Sequence, residues 1–185
     1  MIAPSQAIAG VSDTRINSSV STKPHSSGPD CHLRIATIDD LDSINSLVTA
    51  AMRTWALSER VLRLSLPLYH YEQQDFETQR LLLAENDDGT VIGMAAIESS
   101  NAVDSLSAKN PALLHGIYVD PTWHRSGIGS ELLACAENCA RSAGHDGMLV
   151  RANPGAVGFF EAMGFERLPV SDTRQDYAHR YWKTW

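Results

Sequence analysis

The run Tyr118-Val119-Asp120-Pro121-Thr122-Trp123-His124-Arg125-Ser126-Gly127-Ile128-Gly129-Ser130-Glu131-Leu132-Leu133 passes from a strand end, through a turn opened by Asp-Pro, into the head of an amphipathic helix. The first backbone N–H groups of a helix lack intrahelical acceptors and sit at the positive end of its dipole. Such a junction therefore suits a phosphate or pyrophosphate. Gly127 and Gly129 remove side chains that would hold an anion away from the backbone. Taken alone, two glycines would serve a tight strand-to-helix connection equally well.

Two familiar phosphate loops do not fit this run. A Walker loop needs a Lys directly after its last Gly, and none follows Gly129. The dinucleotide fingerprint needs a third Gly where Leu132 stands. ATPase chemistry and nicotinamide or flavin binding are disfavoured on both counts, which weakens the alternative of a nucleotide-binding protein using this turn.

Outward from the loop, the pattern is mixed α/β with no internal repeat. Alternation at 32–35 predicts a strand, and Thr37 and Asp40 then form the ends of a capping box. Leu41, Ile44, Leu47, Val48 and Ala51 share one helical face. The segment 55–80 mixes apolar anchors with charge and a central Pro67, and no element is assigned to it. The runs 81–84 and 91–97 read as a hairpin across Asn86-Asp87-Asp88-Gly89. A strand over 113–119 leads into the quoted loop and a helix over 127–143 that stops at Gly144. A buried strand at 148–152, a helix at 156–163, and strands at 165–168 and 177–185 complete the order. Residues 1–30 are rich in Ser, Ala, Pro and Gly and poor in large apolar side chains, so a flexible extension is expected there, with one domain over 31–185.

A net charge of −7 without a clustered basic surface argues against nucleic-acid binding. No apolar run is long enough to cross a bilayer. The start of the chain lacks the basic and apolar regions of a secretory signal, so a cytoplasmic location is expected. Cys31, Cys135 and Cys139 make a disulfide framework improbable. Cys135 and Cys139 fall on one helical turn without a second ligand pair, which favours packing over metal or redox chemistry.

The stretch 115–133 resembles the central motif of the GCN5-related N-acetyltransferase family, a strand followed by Gln/Arg-x-x-Gly-x-Gly/Ala at a helix head. Val150-Arg151-Ala152-Asn153 followed by Ala156-Val157-Gly158-Phe159-Phe160-Glu161-Ala162-Met163-Gly164-Phe165 resembles the family's next element. The resemblance covers about 32–185. It implies an α/β (α+β) domain whose central mixed, mostly antiparallel sheet is flanked by helices and splayed between its fourth and fifth strands. Acetyl-CoA would lie in that gap. The resemblance further implies that the main chain around Ile117, Tyr118 and Val119 binds the pantetheine arm. The pyrophosphate would rest on His124, Arg125, Ser126, Gly127, Ile128, Gly129 and Ser130, while Asn153, Phe159 and Phe160 line the thiol side. Four positions depart from the family pattern: His124 stands where Gln or Arg is usual, Ser126 where a basic residue or Gly is common, Leu113 where some members carry Glu, and Phe160 where many carry a Tyr that protonates the leaving thiolate. Either another group or water supplies that proton, or none is needed, or the chain binds without catalysing.

An amine acceptor must lose a proton before it attacks, so a base is wanted. Strict strand alternation would put Leu113, His115, Ile117 and Val119 on one face and make His115 a candidate base. A strand histidine with no proton role fits the same pattern. Glu98 is a second candidate, or a solvated strand-end carboxylate. Tyr118 falls on the opposite face, as core. Tyr177 and Tyr181 supply an acid only if the last hairpin folds over the site. The resemblance also implies that about 55–80 and 171–185 set acceptor specificity; within the first, Glu59, Glu72, Asp75 and Glu77 either attract a cationic amine or are simply solvated. The expected activity is metal-free acetyl transfer from acetyl-CoA to a primary amine of a small molecule or peptide, by direct attack in a ternary complex. The alternative is a non-catalytic acyl-CoA-binding regulatory module. The chain is expected to be a monomer or homodimer.

Overall fold

The computed structural model describes residues 31–99, 110–170 and 177–185. The expected extension 1–30 lies outside the described residues.

The chain enters through β1 (His32–Ile35) and turns at Thr37, whose backbone N–H donates to Asp40 Oδ2 at 2.7 Å. Arg34 grips the same carboxylate through both guanidinium nitrogens at 2.7 Å and also reaches Glu85 at 2.5 Å. This pins the first turn of α1 (Leu41–Met52) to the strand beside it. Ile44, Leu47, Val48 and Ala51 of the predicted stripe are buried, Leu41 at its start only partly, and Met52 joins them at the end of the helix. After Ser58 caps it, α2 (Glu59–Tyr69) runs through Pro67 to its last turn. Pro67 lacks the N–H that would bond one turn back, but the helix closes immediately after it, with His70 N–H donating to Leu66 O at 3.0 Å. No residue of α2 is fully buried, and Leu64 and Leu68 face outward.

A short α3 (Asp75–Thr78) leads into β2 (Gln79–Glu85), β3 (Val91–Ser99) and β4 (Pro111–Val119). The β2–β3 turn is closed by Asn86, whose side chain accepts from the N–H groups of Asp88 and Thr90. Next come α4 (Ile128–Ser142), β5 (Gly147–Arg151), α5 (Val157–Ala162), β6 (Glu166–Arg167) and β7 (Arg180–Thr184). The last elements are shorter than the sequence predicts, β6 keeping only two residues.

The strands form one seven-stranded sheet in the order β1-β2-β3-β4-β5-β7-β6. Every pair is antiparallel except β4–β5. Leu82, Ile97, Leu114, Met148 and Val150 meet Ile128, Leu132, Leu133 and Phe160 on one side. Leu81, Leu83, Met94 and Tyr118 meet α1 on the other. Each such large side chain contributes roughly 1.5–3 kcal/mol by leaving water. The sheet is thus held from both faces. Among the described residues, no helix is long and apolar enough to cross a membrane.

Candidate functional site

The parallel pairing of β4 with β5 spans only Pro111–Gly147 to Leu114–Val150. Beyond Leu114 the two strands part. The main chain of Ile117, Tyr118 and Val119 is paired to β3 on one side and faces the opening on the other. A cavity of about 670 Å³ occupies this opening. His115, Ile117, Tyr118, Val119 and His124 line it from β4 and the following loop, Asn153 and Phe160 from beyond β5.

The anion-suited loop is built as its sequence requires. Asp120 accepts from Thr122 N–H at 2.8 Å, which turns the chain off β4. Ser126 Oγ donates to Trp123 O at 2.6 Å. Arg125 and Gly127 both have positive φ, 64° and 96°, and Gly127 serves as the cap of α4 in the left-handed conformation. Here glycine is required by the backbone as well as by access: a Cβ at Gly127 would meet nothing within 4 Å, so the position opens to solvent. The N–H groups of Ile128 and Gly129 begin α4, where the helix offers no acceptor, whereas Ser130 N–H already donates to Gly127 O at 2.9 Å. The Phe159 ring lies 3.5 Å from where a Gly129 Cβ would be, so the second motif packs directly on the first. Phe160 is buried and edge-on to both Phe159 and Phe165. Asn153 Oδ1 accepts from Gly155 N–H at 2.9 Å and starts the turn into α5. The imidazole Nε2 of His124 lies 3.1 Å from Val119 O.

Strict alternation along β4 fails, and the consequence falls on His115. The pairing passes from Ala96–Gly116 to Ile97–Leu114, leaving His115 as an extra, bulged residue. Leu113 consequently packs with Leu149 and Trp182, while Leu114, Ile117 and Val119 share the α4 side. Leu113 and Ile117 therefore do not share a face. The His115 ring is exposed, lines the cavity and stands edge-on to Tyr71 with centroids 6.3 Å apart. Tyr118 is core, as expected, and burial pushes its hydroxyl well above the ordinary tyrosine range.

Other candidates are dispersed. Glu98 pairs opposite Leu113 and is not a cavity residue. Tyr181 is buried, its hydroxyl donating to Glu161 Oε1 at 3.1 Å, whereas Tyr177 does line the cavity. Glu59, Glu72, Asp75 and Glu77 are not among the cavity residues. A further wall is formed by Ala51, Thr54, Trp55, Leu57 and Tyr69, the last three within the 55–80 segment expected to meet the acceptor, although which of its residues reach the cavity was not legible in the sequence. Its anchor is Asn45, whose side chain accepts from Tyr71 N–H at 2.8 Å and donates to Tyr71 O at 3.0 Å. An Asn on the half-buried face of α1 was the signal available. Among the described residues, no group of three or more His, Cys, Asp and Glu is placed to hold a metal ion.

A splayed mixed sheet with a glycine loop opening the helix after its fourth strand defines the acyl-CoA N-acyltransferase class of fold. The family model for the acetyltransferase (GNAT) family matches residues 47–165, and the chain belongs to that family of acyltransferases. The fold is similar to the PaiA N-acetyltransferase of Thermoplasma acidophilum in complex with coenzyme A, at 18% identity over 84% of this chain and 99% of that one, with a TM-score of 0.70. It is also similar to a GCN5-related N-acetyltransferase from Rhodopseudomonas palustris, at 20% identity, 88% and 100% coverage and a TM-score of 0.66. A GNAT family acetyltransferase from Brucella melitensis in complex with acetyl-CoA is similar at 20% identity, 84% and 88% coverage and a TM-score of 0.57. A comparison with the curated proteins found no match.

Proposed function

We propose that the protein transfers an acetyl group from acetyl-CoA to a primary amine by direct attack in a ternary complex, and that it does so in the cytoplasm. The observation that carries this reading is the end of the β4–β5 pairing at Leu114–Val150, directly before the glycine loop. It leaves the main chain of Ile117 to Val119 facing the gap for the amides of a pantetheine arm. Of the loop after β4 only His124 lines the cavity, and the pyrophosphate would extend from there onto the exposed N–H groups at the α4 head, Arg125 to Ser130. Val119 O is then shared between His124 and the arm, so the imidazole must yield or bridge when the arm enters.

Acetyl-CoA brings the activated acetyl thioester: the amine nitrogen forms the C–N bond, the C–S bond breaks, and coenzyme A leaves as the thiolate. His115 takes the proton that the amine gives up, directly or through water, since the bulge presents its ring to the cavity. Glu98 is the weaker candidate for that role from its position opposite Leu113. Phe160 cannot protonate the thiolate. Water reaching the open cavity takes that part, at a cost that general acid catalysis bounds at about 10²–10⁴-fold.

Phe160 also supports a second reading, a non-catalytic module that binds acyl-CoA. Calorimetric titration with acetyl-CoA, with ATP and NAD as controls, followed by thiol-release assays with amines, separates the two. Selective binding with turnover supports the transferase. Selective binding without turnover for any amine supports the module, and no binding to folded protein overturns both.

A further inference from the structure

We infer that the acceptor is a primary amine carried on an aromatic or bulky apolar body, seated against Trp55 and Tyr69, and not a polyamine or an aminoglycoside. This inference rests on the acetyl-transfer reading above. Trp55 and Tyr69 stand edge-to-face, with ring centroids 5.3 Å apart at 81°, and both line the cavity. Leu57 extends the same wall and is 39% exposed, apolar surface turned to a space that a ligand can fill. An aromatic pair of this geometry offers ring faces and edges to a flat guest, with each stacked contact favourable beyond area burial alone.

The charge of the cavity decides between amine classes. Among the described residues that line it there is no carboxylate, while Arg151, His115 and His124 are present. A polyamine or aminoglycoside would bring several ammonium groups into such a space, and each would lose water without gaining a carboxylate partner. A monoamine brings one, and that one surrenders its proton in the reaction. Four carboxylates on or beside α2 and α3 that could have drawn in a polycation, those of Glu59, Glu72, Asp75 and Glu77, do not line the cavity.

The wall is held in place from within the fold. Trp55 N–H donates to Met52 O at 3.0 Å, and Thr54 Oγ1 to Ala51 O at 2.7 Å, which continues α1 into the wall. At the other end of α2, Thr49 Oγ1 lies 2.9 Å from His70 Nε2, one residue after Tyr69. Both aromatic rings thus hang from anchored backbone, the arrangement that makes a binding surface selective.

The test uses the full chain at saturating acetyl-CoA and reads coenzyme A release with phenethylamine and tryptamine against spermidine and kanamycin. The aromatic amines are expected to exceed the polycations in kcat/KM by about tenfold or more, the range that pocket complementarity supplies. Trp55→Ala should raise KM for phenethylamine about tenfold and leave acetyl-CoA affinity unchanged, with Trp55→Phe restoring most of the loss. A polycation used better than phenethylamine, or an unchanged KM in the alanine variant, overturns the inference. Calorimetry of phenethylamine on the coenzyme A-loaded protein provides a readout independent of turnover. Binding that Trp55→Ala abolishes, without turnover for any amine, upholds the aromatic slot and overturns acetyl transfer. Absence of both binding and turnover overturns the slot.

Discussion

A Cβ on Gly116 would lie 2.8 Å from the phenolic oxygen of Tyr71 and 2.6 Å from Cε2 of Tyr118, so the strand beside the bulged His115 touches these two rings with no space for a methyl group. Gly116→Ala should therefore destabilise the fold by about 1–3 kcal/mol, the usual cost of overpacking. It should also reduce acetyl transfer by moving the bulge. The Tyr71 hydroxyl is buried and finds no hydrogen-bond partner among the described residues. Tyr71→Phe should hence be neutral or stabilising by up to about 1 kcal/mol, and combined with Gly116→Ala it should recover part of the loss. Thermal unfolding of the two single variants and the double variant checks both statements.

Gly127→Glu and Gly129→Glu place a negative charge at the head of α4, where the proposed pyrophosphate rests. Acetyl-CoA affinity should fall by about tenfold or more in each, with the far-ultraviolet dichroism of the fold retained. Gly127 carries a φ of 96°, so Gly127→Asn, which tolerates the left-handed region, should keep more stability than Gly127→Val. Undiminished affinity in both Glu variants would remove the loop from the cofactor site.

His115→Ala should lower kcat for the best amine by roughly 10²-fold or more while acetyl-CoA affinity stays level. The acidic limb of kcat, read at saturating amine, should vanish with it, since a protonated imidazole cannot take the proton that the amine gives up. A profile whose limb survives in the variant would make His115 a spacer of the bulge alone.

The Arg34 guanidinium, with the Thr37 cap, holds the Asp40 carboxyl well below the usual carboxylate range. A depressed folded-state value means that this contribution is complete above the unfolded value of about 4 and is lost as pH falls through the folded one. Asp40→Asn should lower the melting temperature at pH 7. The gap to the native chain should narrow as pH falls below about 4. A gap constant from pH 7 to pH 2 would show that packing, not ionisation, makes the contact.

Cys135 and Cys139 follow one another by a turn on α4. Cys135 donating to Cys139, with Arg80 close by, holds the Cys139 thiol below the ordinary thiol range. The same contact, with burial, pushes Cys135 up. Cys139 should be the faster of the two to react with iodoacetamide at pH 7, and Arg80→Ala should slow it several-fold, as read by peptide mapping. Equal rates at the two thiols would contradict this.

The loop from His124 to Ser130 was legible because its requirements are local. A positive φ at Gly127 and bare N–H groups at a helix start follow from chain geometry within a few residues. The capping box at Thr37 and Asp40 and the hairpin turn at Asn86 were legible for the same reason. The α2 segment was not. Its apolar residues Val61, Leu64 and Leu68 face outward while Leu62 and Leu66 are only half-buried, so no single apolar stripe marks the helix, and Pro67 argues against it.

The order of the strands and of the helices outside 55–80, the anion-suited loop and the family were determined by the sequence itself, through periodicity and glycine placement that any copy of these residues would carry. Only the tertiary structure decided where His115 stands and which residues face the Trp55–Tyr69 wall. A bulge arises from the register of two strands, here Ala96–Gly116 against Ile97–Leu114, and no pattern within β4 alone records it. The wall likewise depends on Asn45 drawing Tyr71 to α1 from 26 positions away in the chain, a contact between segments that becomes visible once both are folded.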